Sequence, residues 1–188
     1  MRASGVYMIA GSVFVHPFAV YHGNVIIGEY SSLWASAVIR AEYDRVVIGR
    51  FTNIQDNVTI HPDHGNPVVI GDNVTVAHNT VIHAARIEDN CMISMGVIIQ
   101  DGAVIGKGTI VAAGAVVRER QVIPPNSIVM GVPAQIKEGK PGQMQRITDN
   151  ALSYAALAQL YKRGLDVTSA DLFQQMLVEV ERFFDPKK

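Results

Sequence analysis

Three histidines, His61, His78 and His83, stand in the pattern H-x16-H-x4-H amid segments rich in valine and isoleucine. Ahead of them lie Arg40, Glu42, Asn53, Gln55 and Asp56, a polar set embedded among apolar residues, and His64 follows three residues beyond His61. Polar and ionisable groups in apolar surroundings must be paired, hydrated or liganded, or they destabilise the fold. Three neutral imidazoles can hold a zinc ion and leave one tetrahedral position open, the pattern of a catalytic rather than a structural site. Such a site lowers the pKa of water to about 7 and supplies hydroxide at neutral pH. The trio is therefore read as a metal site, and the rest of the chain as the scaffold that places it.

The scaffold is written in a period of six. Large aliphatics, with one tyrosine, recur at Ile9, Val15, Tyr21, Ile27, Leu33 and Ile39, resume at Ile48, Ile54 and Ile60, and again at Ile70, Val76 and Ile82. After a one-residue deletion the series runs Ile87, Ile93, Ile99, Ile105, Val111, Val117. This period suits neither an α-helix nor a long alternating strand, but it does suit a parallel β-helix of hexapeptides, three to each triangular coil. The expected fold is thus mainly β, a parallel β-helix over residues 1–136 that carries the site, followed by a helical extension over 137–188. The extra residues in 42–47 and 61–69 break the phase and are expected to leave the coil as loops. Pro124, Pro125 and Pro133 are expected to end the coiling, and KEGKPG to form a turn. From about Gln143 the apolar spacing becomes helical up to Gly164, the expected stop. A second helix is expected to start at Thr168 with Asp171 as a capping box and to carry an apolar face of Leu172, Met176, Leu177, Val180 and Phe184.

The hexad phase places the histidines. His61 and His83 each follow the third hexad aliphatic of their coil, so they occupy one column, one coil apart, with Arg40 one coil earlier. Neighbouring strands lie about 4.8 Å apart, close enough for two imidazoles to share one ion. His78 follows Val76 by two residues and belongs to the second face, where Asp56 occupies its column one coil back beside Gln55. Two prisms packed side by side would bring the faces together, and closed symmetry then suggests a homotrimer with a metal site at each interface. Asp56 of the neighbour would also face Arg40, so a salt bridge between subunits is expected.

Composition excludes several other classes. With 16 Lys and Arg against 17 Asp and Glu, the net charge of −1 gives no electrostatic reason to expect nucleic acid or an anionic membrane. The first residues lack a signal-peptide core, and no apolar run approaches the roughly 20 residues that span a bilayer. The lone Cys91 excludes an internal disulfide and suits a reducing compartment, so the cytoplasm is expected. Cys91 is read as a small packing residue, Trp34 as a cover on one prism face, and His16 and His22 as surface groups.

At VIRAE, with Arg40, at TNIQD, with Asn53 to Asp56, and at His61, His78 and His83 the chain resembles the γ-class carbonic anhydrases, and the likeness extends through the GVPA segment and the C-terminal helix. The resemblance implies a left-handed β-helix, zinc (or iron or cobalt) bound by the three histidines across trimer interfaces, and carbon dioxide and bicarbonate as substrates. It also implies that Gln55 hydrogen-bonds the water at the metal, that Asn53 helps orient substrate, that Arg40 and Asp56 tie subunits together, and that Tyr154 reaches toward the site from the helix. Two positions depart from the family pattern. Glu42 replaces an aspartate, and the proton-shuttling glutamates are replaced by Tyr43 and His64; a histidine titrates near neutrality and suits that role. Slow proton transfer leaves room for two other readings, a metal-dependent thioesterase or hydrolase of coenzyme A metabolism and a non-catalytic trimeric scaffold or ferric-siderophore-binding protein.

Overall fold

The computed structural model describes residues 7–184, so the outermost residues of both expected units lie outside it. The hexad aliphatics point inward and stack rung upon rung: Tyr21, Ile39, Ile60, Ile82, Ile99 and Val117 are successive partners on the third face. From Ile27 to Ile105 the largest of these side chains are under 2% exposed and form one continuous core. Burying such a side chain contributes about 1.5–3 kcal/mol, which explains why the period of six, and no local propensity, dictates the fold. The result is a parallel β-solenoid with two C-terminal helices.

The second face is a sheet of its own. Strands Phe14–Val15, Ser32–Leu33, Asn53–Ile54, Thr75–Val76, Met92–Ile93, Ile110–Val111 and Ser127–Met130 stack in parallel. The first and third faces are not separate. The strand Val38–Ile48 pairs with Thr59–His61 at its start and with Val68–Ile70 at its end, joining both faces into one eleven-stranded sheet. This corrects the expectation of a loop over 42–47: the extra residues stay in a strand that turns the corner. Its neighbour Val20–Ile27 takes up the difference by a register shift, with Asn24 alone opposite Glu42 to Arg45. The bulge pushes Glu42 and Tyr43 outward. The segment after His61 does leave the coil, closing on an Asp63–Asn66 bridge with Gly65 at φ 69°.

Coiling also continues past Pro124 and Pro125, which occupy a turn, to Ser127–Met130. The next strand, Gln135–Glu138, folds back antiparallel to it across residue 136 and takes up the Lys137 and Glu138 expected in a turn. Helix α1 (Gln143–Arg163) then lies across the second face. Gln143 Nε2 donates to the carbonyls of Gly108 at 2.6 Å and Ser127 at 3.1 Å, pinning its start. Gln159 and Lys162 donate to the carbonyls of Ser12 and Val13, at 2.8 and 2.9 Å, pinning its end. Trp34 is covered by this helix, edge-on to Tyr154 and Tyr161. Gly164, at φ 64°, closes α1 as expected. Helix α2 (Ala170–Phe184) packs its apolar face on α1, but its cap is Ser169, whose hydroxyl accepts the Leu172 N–H at 3.3 Å. Thr168 instead donates to Asp166. No helix among the described residues is long and apolar enough to cross a membrane. Cys91 is buried in the core, and burial pushes its thiol up to about 12, so it packs rather than reacts.

Candidate metal centre

The ladder delivers two histidines to one place. Thr59–His61 and Val81–His83 are direct parallel neighbours with His61 opposite His83, and His61 Nδ1 lies 3.0 Å from His83 Nε2. His83 turns its other nitrogen to Asp101, Nδ1 to Oδ1 at 2.7 Å. A carboxylate there fixes the tautomer with Nδ1 protonated and leaves Nε2 as a lone-pair donor facing His61. His61 is the more enclosed, its side chain 12% exposed, and its Nε2 lies 3.4 Å from Glu42 Oε1. Burial, then the nearby guanidinium of Arg40 and the imidazole of His83, hold His61 below the ordinary histidine range, which favours the neutral, ligating form. Arg40 and Glu42, two residues apart on the bulged strand, form an ion pair. Tyr43 stands beside them with its ring 5.4 Å from His61, and His64 packs on Tyr43 at 4.3 Å.

His78 lies elsewhere, in the turn that leaves the second face. Its Nδ1 meets Asp56 Oδ2 at 3.0 Å, the same carboxylate-backed arrangement as His83, and its side chain is 40% exposed. Asp56 is thus engaged within its own chain, and Arg40 has Glu42 as its partner. Beside His78 opens a cavity of about 200 Å³ lined by Gln55, Ala77, Met92, Met95 and Tyr154, among others. Gln55 and Asn53 are buried there, Gln55 Nε2 donating to Asn53 Oδ1 at 3.0 Å. Tyr154 reaches the cavity from α1; burial, with Asp56 as a lesser cause, raises its pKa, so the phenol keeps its proton at neutral pH.

The expected residues therefore form two groups on two faces: Arg40, Glu42, His61, His64 and His83 on one, Asn53, Gln55, Asp56, His78 and Tyr154 on the other. Among the described residues no three metal-ligating side chains converge within one chain. Sequence reasoning missed Asp101, although Gln100-Asp101 repeats the Gln55-Asp56 pair that backs His78. It also missed Thr75, which the ladder sets directly opposite Asn53. Asn150 carries no signal at all, because only helix packing brings it to the second face.

Comparison with known proteins agrees with this architecture. Residues 84–119 match the bacterial transferase hexapeptide (six repeats) model. A "Probable carbonic anhydrase" of Methanocaldococcus jannaschii is 50% identical over 153 residues, 81% of this chain and 96% of that one. A "Carbonic anhydrase" of Geobacillus kaustophilus is 39% identical, covering 82% of this chain and 85% of its own. A solved Bacillus cereus structure that bears an acetyltransferase name superposes with a TM-score of 0.83 at 34% identity, covering 85% of this chain and 94% of that one. By its repeats, its histidine spacing and these relatives, the chain belongs to the γ-class carbonic anhydrase family of hexapeptide-repeat enzymes.

Proposed function

We propose that the chain is a metal-dependent carbonic anhydrase that catalyses the reversible hydration of carbon dioxide at sites shared between the subunits of a cytoplasmic homotrimer. One observation carries the reading: two facing histidines stand on one face, and a third, backed by a carboxylate in the same way, stands on another. Ligand nitrogens about 2.0–2.1 Å from a tetrahedral zinc lie roughly 3.3 Å from each other, and the His61–His83 spacing of 3.0 Å is close to that edge. His61 and His83 of one subunit and His78 of its neighbour would hold the ion; zinc suits three imidazoles, with iron or cobalt as alternatives. Bound there, the metal supplies Lewis-acid activation of water at neutral pH.

The chain's own residues do the rest. Asp101 and Asp56 keep His83 and His78 in the tautomer that presents Nε2. Gln55, locked by Asn53, accepts a hydrogen bond from the attacking water and orients its lone pair toward carbon dioxide. Tyr154 and the apolar wall of the cavity hold carbon dioxide and shed bicarbonate to solvent. The surplus proton leaves past Tyr43 to His64, which stands on the solvent side of the bulge. Arg40 keeps the Glu42 carboxylate in place beside His61 and has further donors for a neighbouring subunit.

The cavity beside His78 favours one second reading. At about 200 Å³, with Met92 and Met95 in its lining, it exceeds what carbon dioxide needs, which suits metal-assisted hydrolysis of a larger acyl group such as a thioester. The deciding experiment is stopped-flow carbon dioxide hydration by protein loaded with zinc and, separately, with iron under anaerobic conditions. Hydration that disappears in His78→Ala is expected. No hydration with either metal, together with thioester cleavage that needs the same three histidines, would overturn the first reading for the second.

A further inference from the structure

The polar groups behind Gln55 form one directed chain of hydrogen bonds. Gln55 Nε2 donates to Asn53 Oδ1 at 3.0 Å, Asn53 Nδ2 donates to Thr75 Oγ1 at 3.0 Å, and the Thr75 hydroxyl donates to Asn150 Oδ1 at 2.8 Å. Asn53, Gln55 and Thr75 are each no more than 3% exposed, and Thr75 and Asn150 line the same cavity as Gln55. With Asn150 Oδ1 as the acceptor at the far end, each link sets the polarity of the next. A hydroxyl carries a single proton; once Thr75 gives it to Asn150, the hydroxyl can only accept from Asn53. Asn53, with its amide committed to Thr75, turns its carbonyl oxygen to Gln55, which must answer with its own amide. Nε2 is thereby held at Asn53, and Oε1 is the acceptor Gln55 brings to the cavity it lines. If the Thr75 hydroxyl lost its acceptor, it could donate to Asn53 instead. Both carboxamides could then reverse, and Gln55 would present a donor.

We infer that Asn150, reaching over from helix α1, and Thr75 are positioning residues that set the polarity of Gln55 and so keep an acceptor facing the reacting water. The inference rests on the role given to Gln55 above. It also assigns α1 a task beyond covering the second face, because the sign of a hydrogen bond at the site is dictated from the helix.

The test uses paired variants of the full-length protein. Thr75→Val and Asn150→Leu keep shape and remove the link, whereas Thr75→Ser and Asn150→Asp keep the hydroxyl and the acceptor. Loss of an outer-shell partner of this kind costs roughly 10–100-fold. The expected result is a fall of that order in kcat for the Val and Leu variants, with KM and bound metal unchanged, and near wild-type kcat for the Ser and Asp variants. A packing role predicts the reverse, since Leu suits a half-buried contact better than a carboxylate. An independent readout comes from metal-free protein: the ¹⁵N-labelled Gln55 side-chain amide, identified by its absence in Gln55→Leu, should be protected from exchange in wild type and the Ser variant and lose protection in the Val variant. Equal kcat and equal protection across each pair would overturn the inference. If Gln55→Leu itself keeps full kcat, the role of Gln55 in the proposed reaction falls, while amide protection still decides whether the chain behind it sets its orientation.

Discussion

At the scale of single residues, His83 and His78, both partly exposed, are organised alike. Asp101 stands 2.7 Å from His83 Nδ1 and Asp56 stands 3.0 Å from His78 Nδ1. Each carboxylate fixes one tautomer, with Nδ1 protonated and Nε2 free to bind a metal. Asp101→Ala should therefore weaken zinc binding roughly 10–100-fold without unfolding the protein, as read by competition with a chelator; unchanged affinity would show that the aspartate does not back a ligand. His61 makes a different prediction, because its pKa is lowered by burial, Arg40 and His83. In metal-free protein the unfolded chain takes up this proton near the usual value of about 6.5, while the folded chain does so only at lower pH. Between those values the unfolded state binds more protons, so stability falls as pH drops below about 6.5. His61→Gln should reduce the loss of urea midpoint between about pH 7.5 and about pH 5.5 relative to wild type. An identical loss in both proteins would mean that His61 is not the titrating group.

At the scale of elements, the bulged strand Val38–Ile48 determines where Arg40, Glu42 and Tyr43 stand. Its neighbour turns at Gly23, which sits at φ 84° and where a Cβ would lie 2.0 Å from the Ala41 carbonyl oxygen. No side chain fits without moving the backbone beside Arg40. Gly23→Ala should cost on the order of 1–3 kcal/mol or more from strain, and should displace the Arg40–Glu42 pair, so that thermal stability and metal affinity fall together. A variant with unchanged melting temperature would remove the bulge from the account of the site. This strand also marks the limit of what the sequence makes legible. The hexad aliphatics announced the coils and the column shared by His61 and His83, because inward residues repeat with a fixed period and neighbours follow from it. The same period announced that 42–47 breaks phase, but a phase break is equally a loop or a strand turning a corner; only pairing with Val20–Ile27 decides. Asn150 was illegible for a related reason. Its place depends on how α1 docks, which Gln143 and Gln159 settle through bonds to backbone carbonyls that no periodicity encodes.

At the scale of the whole molecule, a solenoid with a triangular section presents His61 with His83 on one face and His78 at the exit from another, and the site proposed here exists only where two such prisms meet. The outward column beside the histidine pair supports a contact there: Val81 and Ile98 are exposed, and Val20, Val38, Thr59, Val81, Ile98 and Val116 are stacked neighbours along it. Exposed β-branched residues in a continuous stripe gain from being covered. A shared site makes a prediction that no single-chain site can meet. His61→Ala and His78→Ala homotrimers should each bind no zinc at the centre, since every interface lacks one ligand. Unfolding the two variants together and refolding them produces mixed trimers, and going round any mixed ring one interface joins an intact His61–His83 face to an intact His78. Random mixing makes about three quarters of the trimers mixed, each with one good interface in three, so roughly a quarter of wild-type zinc and activity should return. Metal content after gel filtration reads this directly. A mixture that stays empty, although the refolded trimers exchange subunits, would place the three histidines outside a common site and with them the reaction assigned to it.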